Sequence, residues 1–306
     1  MTAKPAVPSD MAIQAHIEHR IRSRDGRIVA VAEWGDPSGV PLFALHGTPG
    51  SRVAFWQDPT IYARHGLRRI TLDRPGYGES TRLLGRIVAD VVPDMLDVAD
   101  ELGIGSFAIT GGSGGGPHAL ACAASLPDRV LRCLADVCVA PLDAEGLDWL
   151  AGQTRGNVEE FEAALRGEAD IRKIAEVESA AMLARFDSGD SDFLGGDYEM
   201  PEADREQMAR YAHLIAIQLR AGLRSGVDGW VDDDIVMTRP WGFDVAAIKV
   251  PVLLTYGRHD TLVPAAHGDW LAAHIPHVLT RVNEDTGHLG DDEDVELDMA
   301  WLAGRI

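Results

Sequence analysis

Phe107-Ala108-Ile109-Thr110-Gly111-Gly112-Ser113-Gly114-Gly115-Gly116 is an apolar β-type run that breaks into a glycine-rich turn, and Pro117–Leu126 continues from it with helical patterning. Gly111 to Gly115 has the form Gly-x-Ser-x-Gly. A serine held between a strand and a helix sits on a sharp elbow, and its neighbours must be small because the two backbones nearly touch. The elbow also places the serine at a helix N-terminus, where free N–H groups and the dipole favour developing negative charge. The same glycines admit a second pattern. Gly114, Gly116 and Ala119 fit Gly-x-Gly-x-x-Ala, with Asp136 further on at a strand end, as in a dinucleotide-binding turn. That turn begins directly after its strand, whereas Gly111 to Ser113 intervene here, and the rest of the chain supplies partners for a serine. The serine reading is preferred.

Working outward, β-type runs at Pro41–Leu45, Arg69–Leu72, Phe107–Thr110, Val130–Val139, Val250–Tyr256 and Val278–Val282 alternate with helix-length segments. Helical patterning is clearest at Val88–Leu102, Pro117–Leu126 and Pro264–Ile275. This alternation predicts an α/β chain with a doubly wound, mostly parallel sheet. Two more short strands are expected around the turn at Asp25-Gly26. The rhythm breaks between Pro141 and Trp241, which is helix-rich. There Met208, Tyr211, Ala212, Ile215, Leu219 and Leu223 mark one buried helical face, while Gly226–Asp234 reads as a Gly/Asp-rich connection. The expected organisation is a core of residues 1–140 and 242–306 with 141–241 inserted as a helical cap. Trp149, Phe161, Met182, Phe186, Phe193, Tyr198, Met208, Tyr211, Trp230, Met237 and Trp241 offer that cap an apolar roof.

Open parallel sheets bind ligands beyond the carboxyl ends of their strands, so the loops that follow strands carry the information. A serine nucleophile needs a base to take its proton and an acid to orient and charge-match that base. The loop after Val250–Tyr256 is Gly257-Arg258-His259-Asp260, and the loop after Val278–Val282 is Asn283-Glu284-Asp285-Thr286-Gly287-His288. The chain order is Ser113, Asp260, His288. One helix and one strand fit between acid and base, so both emerge at the same sheet edge. Among 11 histidines only His288 follows the last strand. His259 adjoins the acid but points elsewhere, and His267, His274 and His277 fall on or beside a helix and read as surface residues. Asp136 is the reserve acid. The loop His46-Gly47-Thr48-Pro49-Gly50 is expected to supply one oxyanion-hole N–H, from Thr48, with the second from Gly114. His46 is expected to order that loop without transferring protons. No carboxylate/histidine cluster has metal-ligand spacing, so no metal or other cofactor is expected.

Apolar residues at 46% and charged residues at 25% are ordinary globular usage, and no apolar run is long enough to span a bilayer. Met1–His16 carries one lysine and two prolines but no apolar h-region, unlike a signal peptide. The formal charge of −20 repels phosphate backbones and anionic headgroups, which argues against nucleic-acid and membrane-surface partners. Cys122, Cys133 and Cys138 lack CxxC spacing and read as reduced thiols of a cytoplasmic protein. The expected partner is a small-molecule substrate.

Taken together, His46-Gly47-Thr48-Pro49-Gly50, Asp73-Arg74-Pro75-Gly76-Tyr77-Gly78-Glu79-Ser80, the Gly111–Gly116 elbow, Gly257-Arg258-His259-Asp260 and Gly287-His288 resemble the α/β-hydrolase superfamily. The likeness covers residues 17–140 and 242–306 and is greatest to the HGxP-type branch of esterases, cofactor-free haloperoxidases, epoxide hydrolases and proline-iminopeptidase-like enzymes. It implies a serine hydrolase acting on a small-molecule carboxylic ester through an acyl-enzyme. The same triad also serves aminopeptidases, C–C bond hydrolases and perhydrolases, and the fold carries non-catalytic ligand sensors. Epoxide hydrolases and haloalkane dehalogenases of this branch place Asp where this chain has Ser113. Iminopeptidases carry a bulky residue after the serine, where this chain has Gly114, and acidic cap residues for the substrate amine. Asp73–Ser80, a hallmark of the family, is read as a structural turn without a chemical role.

Overall fold

Eight strands form one sheet in the order β1-β2-β4-β3-β5-β6-β7-β8. They are β1 (Ile17–Arg22), β2 (Ile28–Gly35), β3 (Val40–Leu45), β4 (Leu67–Leu72), β5 (Phe107–Gly112), β6 (Val130–Asp136), β7 (Val252–Gly257) and β8 (Val278–Asn283). The pairings β1–β2 and β2–β4 are antiparallel and the rest parallel, as the alternation of strands and helices predicts. The computed structural model describes residues 17–53, 60–190 and 192–306; Met1–His16, read above for targeting signals, lies outside the described residues.

The central strands are apolar because both their faces are covered. Phe43, Phe107, Ile109 and Val252 have no exposed surface. Helices α1 (Thr60–Arg64), α2 (Val91–Glu101), α3 (Gly116–Ser125), α8 (Ala265–His274) and α9 (Asp292–Leu302) flank the sheet. Between β6 and β7 run four more, α4 (Arg155–Arg166), α5 (Glu168–Ser188), α6 (Glu202–Gly222) and α7 (Asp228–Met237). In α6 the expected face is buried through Met208, Tyr211, Ile215 and Leu219. Among the described residues no helix is long and apolar enough to cross a membrane.

Chain order reverses at β3, which pairs with β4 on one side and β5 on the other. Loops leaving β3 and β5 therefore diverge around a crevice at their carboxyl ends, the usual ligand position in an open α/β sheet. Register brings Leu45 beside Gly111, Gly112 beside Asp136 and Asp136 beside Thr255 along that edge.

Three expectations change. β6 stops at Asp136, three residues early, because Val137 turns to φ 42°, outside any strand conformation. Gly226–Asp234 is mostly helix, since α7 begins at Asp228. Within it Asp232, Asp233 and Asp234 are all buried. Their partners come from far along the chain: Arg82 lies 2.7 Å from Asp232 and Arg86 2.7 Å from Asp233. His267, expected at the surface, is buried, with its Nε2 3.0 Å from the Trp149 carbonyl and its Nδ1 accepting from Ala140 N at 3.1 Å. The three cysteines are free and buried.

Asp233 holds α7 to the sheet-end loops. Its carboxylate accepts from Thr48 Oγ1 at 2.6 Å, from Tyr77 OH at 2.9 Å and from Arg86 at 2.7 Å, and it pairs with Arg74. Burial alone would raise this carboxyl, but Arg74 and Arg86 outweigh it and hold it well below the usual range. Removing one member of a buried ion pair leaves the other uncompensated, typically at 3–5 kcal/mol. Asp233→Ala is therefore expected to lower unfolding free energy by about 3–5 kcal/mol in a urea titration. A loss below about 1 kcal/mol would show that Arg74 and Arg86 find other partners.

Candidate active site

Ser113 leaves β5 at φ 51°, a left-handed conformation rare for a residue with a side chain, and opens a short 3₁₀ turn that runs into α3. The turn closes only because Gly111 has no side chain: a Cβ there would collide with the Gly115 carbonyl. Backbone strain of this kind exposes the serine hydroxyl above the sheet edge.

Asp260 and His288 emerge after β7 and β8. His288 Nδ1 lies 2.8 Å from Asp260 Oδ2, while Asp260 Oδ1 accepts from the backbone N–H groups of Leu262 and Val263, each at 2.8 Å. The carboxylate is thus fixed at both oxygens. It favours the imidazole tautomer with Nδ1–H toward Asp260, leaving Nε2 as proton acceptor. Asp136, the reserve acid, instead accepts from Thr255 Oγ1 at 2.6 Å.

Sequence reasoning missed Asp204, in the first turn of α6. Its two oxygens accept from His288 N at 2.8 Å and Leu289 N at 2.9 Å, so a helix inserted between β6 and β7 fixes the backbone of the histidine loop. Burial disfavours a charged imidazole at His288, yet Asp260, Asp204 and Asp136 outweigh that and raise it above its ordinary 6.5. Nothing in the sequence separates Asp204 from an ordinary acidic residue at a helix start. One local trace exists in retrospect: a side chain at Gly287 would run into the Asp204 carboxylate.

Thr48 and Gly114, expected to supply the oxyanion-hole N–H groups, lie side by side. A Cβ on Gly114 would run into the Thr48 hydroxyl, with Thr48 Cβ at 2.9 Å and Thr48 N at 3.3 Å, so the Thr48 side chain packs directly against Gly114 and its backbone N–H lies close behind. The Thr48 hydroxyl is committed to Asp233, and Arg74 Nη2 donates to it at 3.2 Å. Arg74 also donates to the carbonyls of His46 and of Gly47, the latter at 3.1 Å. The Asp73–Ser80 turn, read from sequence as a structural turn without a chemical role, tethers the Thr48 loop. His46 orders that loop: its Nδ1 lies 2.8 Å from the Gly47 carbonyl and its Nε2 accepts from Arg74 N at 3.2 Å. Burial and Arg74 push His46 well below 6.5, keeping it neutral.

Ser113, His288, Thr48 and Gly114 all line a cavity of about 170 Å³ roofed by the insert. Of the residues expected to form an apolar roof, Phe161, Met182, Phe193, Met208 and Met237 line it, whereas Trp149, Phe186, Tyr198, Tyr211, Trp230 and Trp241 do not.

The family model for the alpha/beta hydrolase fold matches residues 40–294, spanning the strand-end loops just described. The chain belongs to the alpha/beta hydrolase fold family. This α/β hydrolase is 25% identical over 281 residues to a proline iminopeptidase of Neisseria meningitidis serogroup B, covering 85% of this chain and 86% of that protein. It is 25% identical to a pimeloyl–acyl-carrier-protein methyl ester esterase of Nitrosomonas europaea, covering 82% and 89%. Among solved structures, a hydrolase from Pseudomonas aeruginosa superposes with a TM-score of 0.67 at 20% identity over 95% of this chain and all of that one. Non-heme haloperoxidases also occur among the relatives.

For this α/β hydrolase, Asp204→Asn keeps the side-chain size and removes one carboxylate charge from beside His288. The His288 imidazole should titrate above 6.5 by NMR in the wild type and move down in the variant. An unchanged midpoint would assign the upward shift to Asp260 and Asp136 alone.

Proposed function

We propose that this protein is a serine hydrolase that cleaves a small-molecule carboxylic ester, with Ser113 as nucleophile, His288 as base and Asp260 as the acid that orients it. The observation that carries the reading is the 2.8 Å His288–Asp260 contact at the same cavity as a strained, half-buried Ser113. In this scheme His288 Nε2 takes the Ser113 proton as Oγ attacks the carbonyl, and the imidazolium formed is stabilised by Asp260. The N–H groups of Thr48 and Gly114 receive the oxyanion. The imidazolium then protonates the leaving alcohol. Water, deprotonated by His288, attacks the acyl-enzyme and returns Ser113 to its starting state. The insert, residues 141–241, acts as a cap that shapes the acyl site.

The choice of ester over aminoacyl amide rests on Gly114, beside which Thr48 leaves no room for the bulky residue found in iminopeptidases. The full-length likeness to a proline iminopeptidase favours a second reading, cleavage of an aminoacyl amide, and the same assay separates the two. Fluorophosphonate labelling should mark wild type and not Ser113→Ala. In a p-nitrophenyl ester series from short to long chains, the variant should lose about 10⁴-fold or more in kcat. Turnover of aminoacyl p-nitroanilides in preference to esters would select the second reading. Absence of both labelling and turnover in folded protein would leave a ligand sensor on a hydrolase scaffold.

Two further outcomes follow from the geometry. His288 must be neutral to accept a proton, and its carboxylate neighbours raise its pKa. The kcat/KM profile should therefore rise with pH through a midpoint above 6.5. A midpoint below 6.5 would contradict this environment. Gly114→Val should displace Thr48 and reduce kcat by about 10²–10³-fold, the scale of losing one oxyanion donor.

A further inference from the structure

Three glycines follow Ser113, and each has a spatial reason. A Cβ on Gly114 would run into the Thr48 side chain, one on Gly115 into the Leu45 carbonyl and one on Gly116 into the Cys138 side chain. The close approaches at the elbow therefore strip this stretch of side chains, and glycine backbones carry the greatest conformational freedom. Gly114 also carries an N–H assigned to the oxyanion in the proposed scheme. A donor of that kind works through fixed direction, because the charge it meets develops only in the transition state.

Two bonds hold the carbonyls on either side of that N–H. The Ser113 carbonyl accepts from Gly116 N–H within the 3₁₀ turn, and Pro117 has no N–H to add. The Gly114 carbonyl faces the imidazole of His118, in the first turn of α3, with Nδ1 at 2.9 Å. A carbonyl can only accept, so Nδ1 carries the ring proton and Nε2 keeps its lone pair. His118 is 1% exposed, and burial, with Arg74 adding to it, pushes its pKa down to about 3. The ring is therefore neutral at pH 7 and has one proton to donate. Nε2 meets no hydrogen-bond partner among the described residues. A leucine would fill much the same space without an unmet nitrogen, so packing alone does not account for a histidine. What the histidine adds is the Nδ1–H bond to Gly114. His118 does not line the cavity beside Ser113, so any part it has in the reaction passes through Gly114.

We propose that His118 is a positioning residue for the oxyanion hole: its Nδ1–H holds the Gly114 carbonyl and so aims the Gly114 N–H at the developing oxyanion. This rests on the reading of Ser113 as nucleophile and adds a residue to the machinery that serves it. The imidazole supplies, from the next turn of chain, a constraint that the glycines cannot supply themselves.

Three variants test this. His118→Leu removes the donor, His118→Asn keeps an amide donor near the Nδ1 position, and His118→Gln carries it out to the level of Nε2. Each is matched to wild type for fold by circular dichroism and urea unfolding. Each is then read on the p-nitrophenyl ester series and by its rate of fluorophosphonate labelling. In His118→Leu, kcat and labelling rate should both fall about tenfold or more with KM nearly unchanged, since the oxyanion forms after binding. His118→Asn should recover most of both losses, and His118→Gln should not. A trifluoromethyl ketone, whose adduct with Ser113 carries an oxyanion, should lose affinity in His118→Leu by about the factor lost in kcat. The matching methyl ketone should bind both proteins alike.

Wild-type rates in folded His118→Leu overturn the proposal. A loss expressed in KM, or one that His118→Asn does not recover, overturns it too, because the ring would then serve packing. If His118→Leu does not fold, the comparison of Asn with Gln decides, and equal rates in those two overturn the proposal. Wild type that neither labels nor turns over defeats the reading of Ser113, and the positioning role falls with it. Labelling in wild type that persists unchanged in His118→Leu defeats the positioning role alone.

Discussion

Asp233 is the charge around which the loops above the sheet are arranged. Two guanidiniums, Arg74 and Arg86, are buried with it, and Arg74 has no exposed surface at all. Ions removed from water to this degree persist only where partners are close and further hydrogen bonds complete their shells. The shell of the Asp233 carboxylate is filled in a useful way. Tyr77 OH and Thr48 Oγ1 fill the remaining acceptor capacity of Asp233, while Arg74 spends its other N–H groups on the His46 and Gly47 carbonyls. The same bond to Asp233 fixes the Thr48 side chain, which packs directly against Gly114.

Asp204 repeats the arrangement on the other side of the cavity. The sheet provides Ser113, Asp260 and His288 on loops that follow three separate strands, and loops by themselves are mobile. Each of the two loops flanking the cavity is anchored by a carboxylate from the helices between β6 and β7: Asp204 at His288–Leu289 and Asp233 at Thr48. Both anchors are multidentate, so they fix orientation as well as position.

What could be read from the sequence was local. The elbow is a five-residue pattern whose glycines answer to contacts within the same turn, and the strand-end positions of Asp260 and His288 follow from alternation and chain order. The unread parts depend on partners remote in sequence. Asp232–Asp234 read as part of a Gly/Asp-rich connection because their partners Arg82 and Arg86 lie up to about 150 positions away. His267 looked like a surface residue for the same reason, since the Trp149 carbonyl that holds it is 118 positions distant. Asp204 resembled any acid at a helix start. Burial of charge is a property of three-dimensional pairing, and a hydropathy pattern assigns such segments to the surface.

The anchoring of His288 from α6 bears on how such proteins can be recombined. A helical segment grafted from a relative to alter specificity would change the cavity wall, but it would also withdraw the acceptors for two backbone N–H groups beside the base. The wall and the brace belong to one continuous piece of chain. A donor segment therefore transfers its selectivity only if it carries a carboxylate at the equivalents of Asp204 and Asp233, in register with the loops of its new host.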